Sequence, residues 1–346
     1  MGKRARALVV AVLTFATIVT EQVAVDGATP DLTASASEVI APISSFSAAA
    51  VLPPNFQDTV AFSGLTDPMT VRFVSDGRIF VAEKGGRILV YSGLSDPTPS
   101  VFADLSTNVH NFWDRGLMSM ALAPNFPADP YVYVLYAYDA SVGGVAPRWS
   151  DSCPTPPGAT TDGCVISGRL SRLQASGDVM TGTEQVLIND WCQQFPSHTV
   201  GDLRFGADGM LYATAGEGAS WSNADYGQFG GTLGSPPVTP KNPCGDPPAG
   251  VGGTMTPPSA RGGALRSQSL RRPAGEPRLL NGTLIRLDPA TGAGLSDNPL
   301  GASTSANERR VIGYGMRNPF RFAIGQGRTT SGSQTSAREL GRRSIS

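Results

Sequence analysis

The sequence predicts an all-β fold of short antiparallel strands, on three observations. Glycine and proline are dense, with 41 Gly and 28 Pro in 346 residues; so many breakers disfavour long helices and favour short strands joined by turns. Val71 to Ala82 reads as strand, Asp76-Gly77 turn, strand, because Asp-Gly supplies the positive φ of a tight hairpin. The same unit returns 132 positions later, from Leu203 to Thr214 around Asp208-Gly209.

Further strands read at Ile88–Tyr91, Tyr131–Tyr138, Ser167–Leu173, Glu184–Ile188, Thr283–Leu287 and Phe320–Ile324. Repeated strand–turn–strand units suit a β-propeller, in which each blade is a four-stranded antiparallel sheet. From the hairpins alone, a β-sandwich stays open as the alternative.

Charge and composition narrow the class. Lys+Arg 27 against Asp+Glu 28 gives a net charge of -1, without the basic footprint of a nucleic-acid binder. Lys3, Arg4 and Arg6 precede an apolar run from Ala7 to Val19, too short for a membrane span and typical of an export signal. Residues 1–28 are therefore expected to be a signal peptide, with cleavage near Val25-Asp26-Gly27-Ala28. An uncleaved anchor is the competing reading. The mature protein is expected to be secreted, periplasmic or extracellular, without stable membrane insertion. Residues 29–51 are rich in Ala, Ser and Thr and read as a linker.

Residues 52–324 carry the strands. A long Gly/Pro-rich loop at 219–280 interrupts them, with Trp221, Tyr226 and Phe229 as apolar anchors and Pro257–Arg278 as a candidate disordered stretch. Residues 325–346 leave the strand pattern and are expected to form a disordered tail.

The four cysteines, Cys153, Cys164, Cys192 and Cys244, suggest two disulfides in an exported protein. Of the three pairings, Cys153–Cys164, closing a short Pro/Gly-rich loop, and Cys192–Cys244 are favoured. There is no Cys-x-x-Cys and there are two histidines, so zinc binding is not expected.

Few residues can carry chemistry. His198 lies in Pro196-Ser197-His198-Thr199-Val200, on a loop entering a strand; a histidine there can serve as a general base or as a hydrogen-bonded structural group. His110 sits in a polar, aromatic loop, suited to a ligand site or to packing. Gly216-Glu217-Gly218 ends a strand with a carboxylate. Gly315-Met316-Arg317-Asn318-Pro319 sets a bidentate cation beside an amide, or is a solvated turn. Asn281-Gly282-Thr283 matches a glycosylation acceptor, a pattern too common to decide anything.

Taken in order, these stretches resemble the glucose/sorbosone dehydrogenase family, the soluble quinoproteins. Leu65-Thr66-Asp67-Pro68 with its Asp-Gly hairpin resembles the family's first blade. The run from Arg115 through Gly116, Leu117, Ala121 and Pro124 to Phe126 resembles its Gly-Leu-Leu-Gly-x-Ala-x-x-Pro-x-Phe segment, and Pro130-Tyr131-Val132-Tyr133 follows it. Ser197-His198 to Gly218 resembles its histidine-bearing strand pair, and Gly315 to Phe320 its Gly-x-Arg-Asn-Pro turn. The resemblance covers residues 52–324.

The resemblance implies a six-bladed β-propeller, incomplete here at roughly three to four blades. It implies oxidation of an aldose, with pyrroloquinoline quinone over a central funnel and calcium clamping it. His198 would be the catalytic base, and Arg317 and Asn318 would bind the quinone. Asp114, Arg115 and Glu217 would lie near substrate or cofactor, and an electron acceptor would be a partner. Two positions depart from the pattern: Asp114 stands where some members have Gln, and Ser197 where they have Asp. Both departures bear on sugar specificity and on the base's orientation.

After Ile324 the likeness ends. Reading from the third base of the Gly325 codon, synonymous codons permit PGTNDVWVADVGAGTWEEIN, which resembles the family's continuation and implies a shifted reading frame. The calcium loop would belong to that continuation, so this chain is expected to hold no metal, to bind quinone weakly and to expose strand edges. Two other classes remain: a non-catalytic sugar- or protein-binding propeller, and a metal-dependent lactonase. The latter needs several converging acidic and Asn ligands, and no such set stands out in the sequence.

Overall fold

The computed structural model describes residues 53–153, 163–218, 243–244 and 278–325. The expected signal peptide, the linker, most of the 219–280 loop and the tail beyond Gly325 lie outside the described residues. The chain divides into two compact units, 1–63 and 64–346. In the first, residues 53–63 hold no helix or strand, and one turn bond runs from the Phe56 amide to the Pro53 carbonyl (3.1 Å).

The second unit contains twelve strands among its described residues. They are β1 Pro68–Phe73, β2 Ile79–Glu83, β3 Arg87–Tyr91, β4 Ser100–Asp104, β5 Leu117–Leu122, β6 Tyr131–Tyr138, β7 Ile166–Ser176, β8 Val179–Gln193, β9 Val200–Phe205, β10 Leu211–Ala215, β11 Thr283–Leu287 and β12 Val311–Tyr314. They form three four-stranded sheets, β1-β2-β3-β4, β5-β6-β7-β8 and β9-β10-β11-β12, each antiparallel and in chain order. The first strands lie side by side, β1 on β5 and β5 on β9. That is the arrangement of three successive propeller blades, and it decides against the sandwich.

Inner strands read as continuous apolar runs rather than alternating ones, because their residues are buried on both faces of the sheet. All five residues of β2 and seven of the eight in β6 are buried. Aromatic pairs bridge the blades: Phe80 meets Phe126 edge-on at 5.5 Å, and Tyr133 meets Phe205 at 5.2 Å. Outer strands are wetter, and the first half of β8 is largely exposed.

The two Asp-Gly hairpins share one bonding pattern. Val74 N–H donates to the Arg78 carbonyl (2.9 Å) and Gly206 N–H to the Met210 carbonyl (2.9 Å). Asp76 and Asp208 each accept from the amide two residues on, both at 3.1 Å, and Gly77 and Gly209 take φ of 98° and 73°.

Some strands are not marked by the sequence pattern. β4, β5 and β12 are among them, and β8 runs well beyond Glu184–Ile188 in both directions because its polar first half hides the strand. A five-residue helix, α1 (Ala306–Arg310), capped by Ser305, feeds β12. The expected strand at Phe320–Ile324 is a correction: it forms no strand. A strand needs a backbone ladder, and here the segment's contacts go elsewhere. The Pro319 carbonyl accepts from Thr214 Oγ1 (2.8 Å), and Arg321 donates to the Gly201 and Met118 carbonyls (3.2 and 3.1 Å).

Candidate active site

The N-terminal ends of β1, β5 and β9 meet at one mouth, and the residues just before each innermost strand are delivered there. Asp114 precedes β5, His198 and Thr199 lead into β9, and Arg317-Asn318 precede the 320–325 segment. A cleft of about 250 Å³ opens between them, lined by Lys84, Trp113, Asp114, Thr199, Asn318 and Phe320 among others.

His198 is held from three directions. Its backbone takes φ +52°, uncommon outside glycine. Its amide donates to Asp114 Oδ2 (3.1 Å) and its carbonyl accepts from Gly218 N–H (2.9 Å). A Cβ at Gly216 would collide with that carbonyl, so glycine is required there by close approach. The imidazole Nδ1 lies 3.2 Å from Glu217 Oε1, with both side chains buried. A carboxylate there selects the Nδ1–H tautomer and places the basic lone pair on Nε2.

Arg317 extends the chain of charges. Its Nε is 3.7 Å from Glu217 Oε1 and its carbonyl accepts the Glu217 amide (3.0 Å), while its side chain is half-exposed at the mouth. Beneath the pair, Asn281 Nδ2 donates to the carbonyls of Cys192 (2.6 Å) and Glu217 (3.3 Å), and Thr199 Oγ1 to Gln193 Oε1 (2.7 Å).

Asp114, His198, Glu217, Arg317 and Asn318 are thus brought together. Arg115 is not. Its guanidinium is completely buried and donates to the carbonyls of Cys164 (2.5 Å), Gln193 (3.0 Å) and Phe195 (2.8 Å). Burial pushes its pKa down to about 9. His110 is equally buried: Nδ1 faces Arg115 (3.3 Å) and Nε2 donates to the Ser152 carbonyl (2.9 Å). Burial, then the Arg115 charge, lowers its pKa. It is a packing histidine. Asn281 is also fully buried, so its acceptor motif is inaccessible.

Both expected disulfides are formed, Cys153–Cys164 and Cys192–Cys244, with Cα separations of 5.2 and 5.6 Å. Among the described residues no three His, Cys, Asp or Glu side chains converge as a metal site. Sequence reasoning misses Lys84, Trp113, Thr199 and Phe320. The signal is positional for Lys84, Trp113 and Thr199, which flank strands that open on the same mouth, while Phe320 reaches it from the irregular segment after Asn318.

Residues 65–234 match the sequence model of the family described as Glucose / Sorbosone dehydrogenase. That match spans just under half of the chain. A curated relative is Hedgehog-interacting protein of Mus musculus, 27% identical over 162 residues, 45% of this chain and 21% of the relative. Similar solved structures include a glucose dehydrogenase-type oxidoreductase from Thermus thermophilus (23% identity, TM-score 0.46, 74% of this chain and 53% of that one). Another is the PQQ-bound aldose sugar dehydrogenase of Streptomyces coelicolor (17%, 0.44, 75% and 54%). The chain spans about half the length of these structures. The family match takes in β1 to β10, and with them Asp114, His198 and Glu217; Arg317 and Asn318 lie beyond it.

Proposed function

We propose that the protein is built for quinone-dependent oxidation of an aldose, with His198 as the base. The observation that carries this reading is the buried His198–Glu217 pair, tied to Arg317 and next in sequence to Thr199, which lines the Asp114–Asn318 cleft. His198 Nε2 takes the proton of the anomeric hydroxyl. Glu217 keeps the ring in the productive tautomer and stabilises the imidazolium that forms. Asp114 fixes the His198 backbone and offers a carboxylate to a sugar hydroxyl.

The mouth fits a tricarboxylate cofactor. Lys84, Arg317 and Asn318 supply cationic and amide donors, and these would hold the carboxylates of pyrroloquinoline quinone. When bound, the quinone would supply the hydride acceptor, and an electron acceptor would be a partner of the protein. Calcium is assigned no ligand among the described residues. Residues 52–324 are read as a partial propeller. Export through the 1–28 signal peptide would place it in the periplasm or outside the cell; among the described residues no helix is long and apolar enough to cross a membrane.

A second reading is a non-catalytic propeller that binds a protein or carbohydrate at this mouth. It is favoured by the likeness to a protein named for interacting with Hedgehog and by Asp114 and Ser197 standing where the family pattern differs. A dye-linked assay with aldoses, after adding pyrroloquinoline quinone and calcium, separates the two. It is run on this chain and on a frame-restored chain. Turnover in the restored chain that is lost in His198→Asn supports the dehydrogenase. A folded, restored chain without turnover supports the binding propeller.

A further inference from the structure

The far ends of the same three strands make a second cavity, of about 310 Å³, within the range of small-molecule pockets. It lies the length of a six-residue strand from the mouth, roughly 15–20 Å away. Its walls combine Phe73, Leu122, Phe126 and Phe205 with the side chains of Arg72 and Arg204.

The charges here do not balance. Arg72 donates from Nη1 to the adjacent Val71 carbonyl (2.9 Å), and among the described residues no carboxylate lies within ion-pair distance of it. Arg204 Nε bonds Asp202 Oδ2 (2.9 Å). That buried carboxylate also accepts from Ser119 Oγ (2.7 Å) and the Leu203 amide (2.9 Å). Arg321, close enough to act on Arg72, is engaged with backbone carbonyls. Three guanidiniums therefore share one carboxylate. Burial first, then Arg204, pushes the Arg72 pKa down to about 10, so at neutral pH it stays charged beside an apolar wall.

We propose that this cavity binds an organic carboxylate with an aromatic body, the carboxylate on Arg72 and Arg204 and the ring against Phe73, Phe126 and Phe205. Two forked donors suit a carboxylate, and the aromatic wall favours a planar apolar body over a hydrated inorganic ion. The site stands independently of the sugar chemistry at the mouth.

Equilibrium dialysis of the full chain against labelled benzoate tests it, with benzyl alcohol as the neutral analogue and inorganic phosphate as competitor. The expected result is saturable binding of one benzoate, with benzyl alcohol at least roughly tenfold weaker and phosphate a poor competitor. Arg72→Met, and separately Phe73→Glu at an exposed position, should each weaken benzoate at least roughly tenfold without loss of the β-sheet circular dichroism. If Arg72→Met does not fold, Phe73→Glu decides. No binding to folded chain, equal binding of benzyl alcohol, displacement by phosphate at equal concentration, or binding unchanged in the folded variants overturns the proposal.

Discussion

The two ends of β1, β5 and β9 share a backbone but not a chemistry. At the mouth, the carboxylates of Asp114 and Glu217 are spent holding His198. Toward the base, the carboxylate of Asp202 faces the positive charge of Arg72, Arg204 and Arg321, while the hairpin carboxylates Asp76 and Asp208 are paired with Arg78 and Arg286. The difference follows from what builds each end. The base is made by strand residues and tight Asp-Gly hairpins, whose turn chemistry leaves little room for variation. The mouth is made by the irregular segments that carry the chain from one blade to the next. These can take unusual backbone, such as His198 at φ +52°, and place a side chain where the chemistry needs it.

The largest effect expected from breaking this contrast is at His198. Asparagine tolerates positive φ, so His198→Asn keeps the backbone and should lower turnover of a frame-restored chain by about 10²- to 10⁴-fold. Its unfolding midpoint should change little; undiminished dye reduction would remove the mouth as an acid–base site.

Arg115 should behave in the opposite way, as a residue of the fold. Arg115→Ala strands three buried carbonyls and opens a cavity, and should cost about 3–5 kcal/mol in urea unfolding. A loss of quinone or sugar affinity with stability intact would instead make Arg115 part of the mouth.

The disulfides come next. Cys192Ser/Cys244Ser opens a closure of 52 residues and Cys153Ser/Cys164Ser one of 11. On loop entropy the first should cost about 4 kcal/mol and the second about 3, and the reverse ranking would point to strain or residual structure in the unfolded chain.

The smallest effect is a pH slope. His110 has a folded pKa below its ordinary 6.5, through burial and then Arg115. The unfolded chain therefore takes up the proton first. Its stabilising contribution is complete above 6.5 and is lost as the pH falls from there through the folded value. His110→Gln should flatten the decline in Tm between about pH 7 and 5; an unchanged slope would assign that decline to other groups.

Much of this molecule was legible locally. Asp76-Gly77 and Asp208-Gly209 announced their hairpins because positive φ is a property of adjacent residues. Cys153–Cys164 could be paired because eleven positions close readily. His198 and Glu217 stood out as loop residues just before the first and just after the second strand of one hairpin, and the structure joins them at its open end at 3.2 Å. The failures were contacts between distant segments. Asp114 and Arg115 are neighbours in sequence, yet one lines the cleft and the other is buried among carbonyls 49 to 80 positions away. Phe320–Ile324 has a strand's alternation without a ladder beside it.

By itself, then, the sequence determined the all-β class, the repeating hairpin, a favoured short-range disulfide at Cys153–Cys164 and the short list of groups able to move a proton. Those depend on residue type and short-range spacing. Only the tertiary structure decided which loop residues face the mouth, and that Arg72, Arg204 and Arg321 gather around the Asp202 carboxylate. Such proximities arise when blades pack side by side, bringing together residues far apart in the chain, where no local pattern records the meeting.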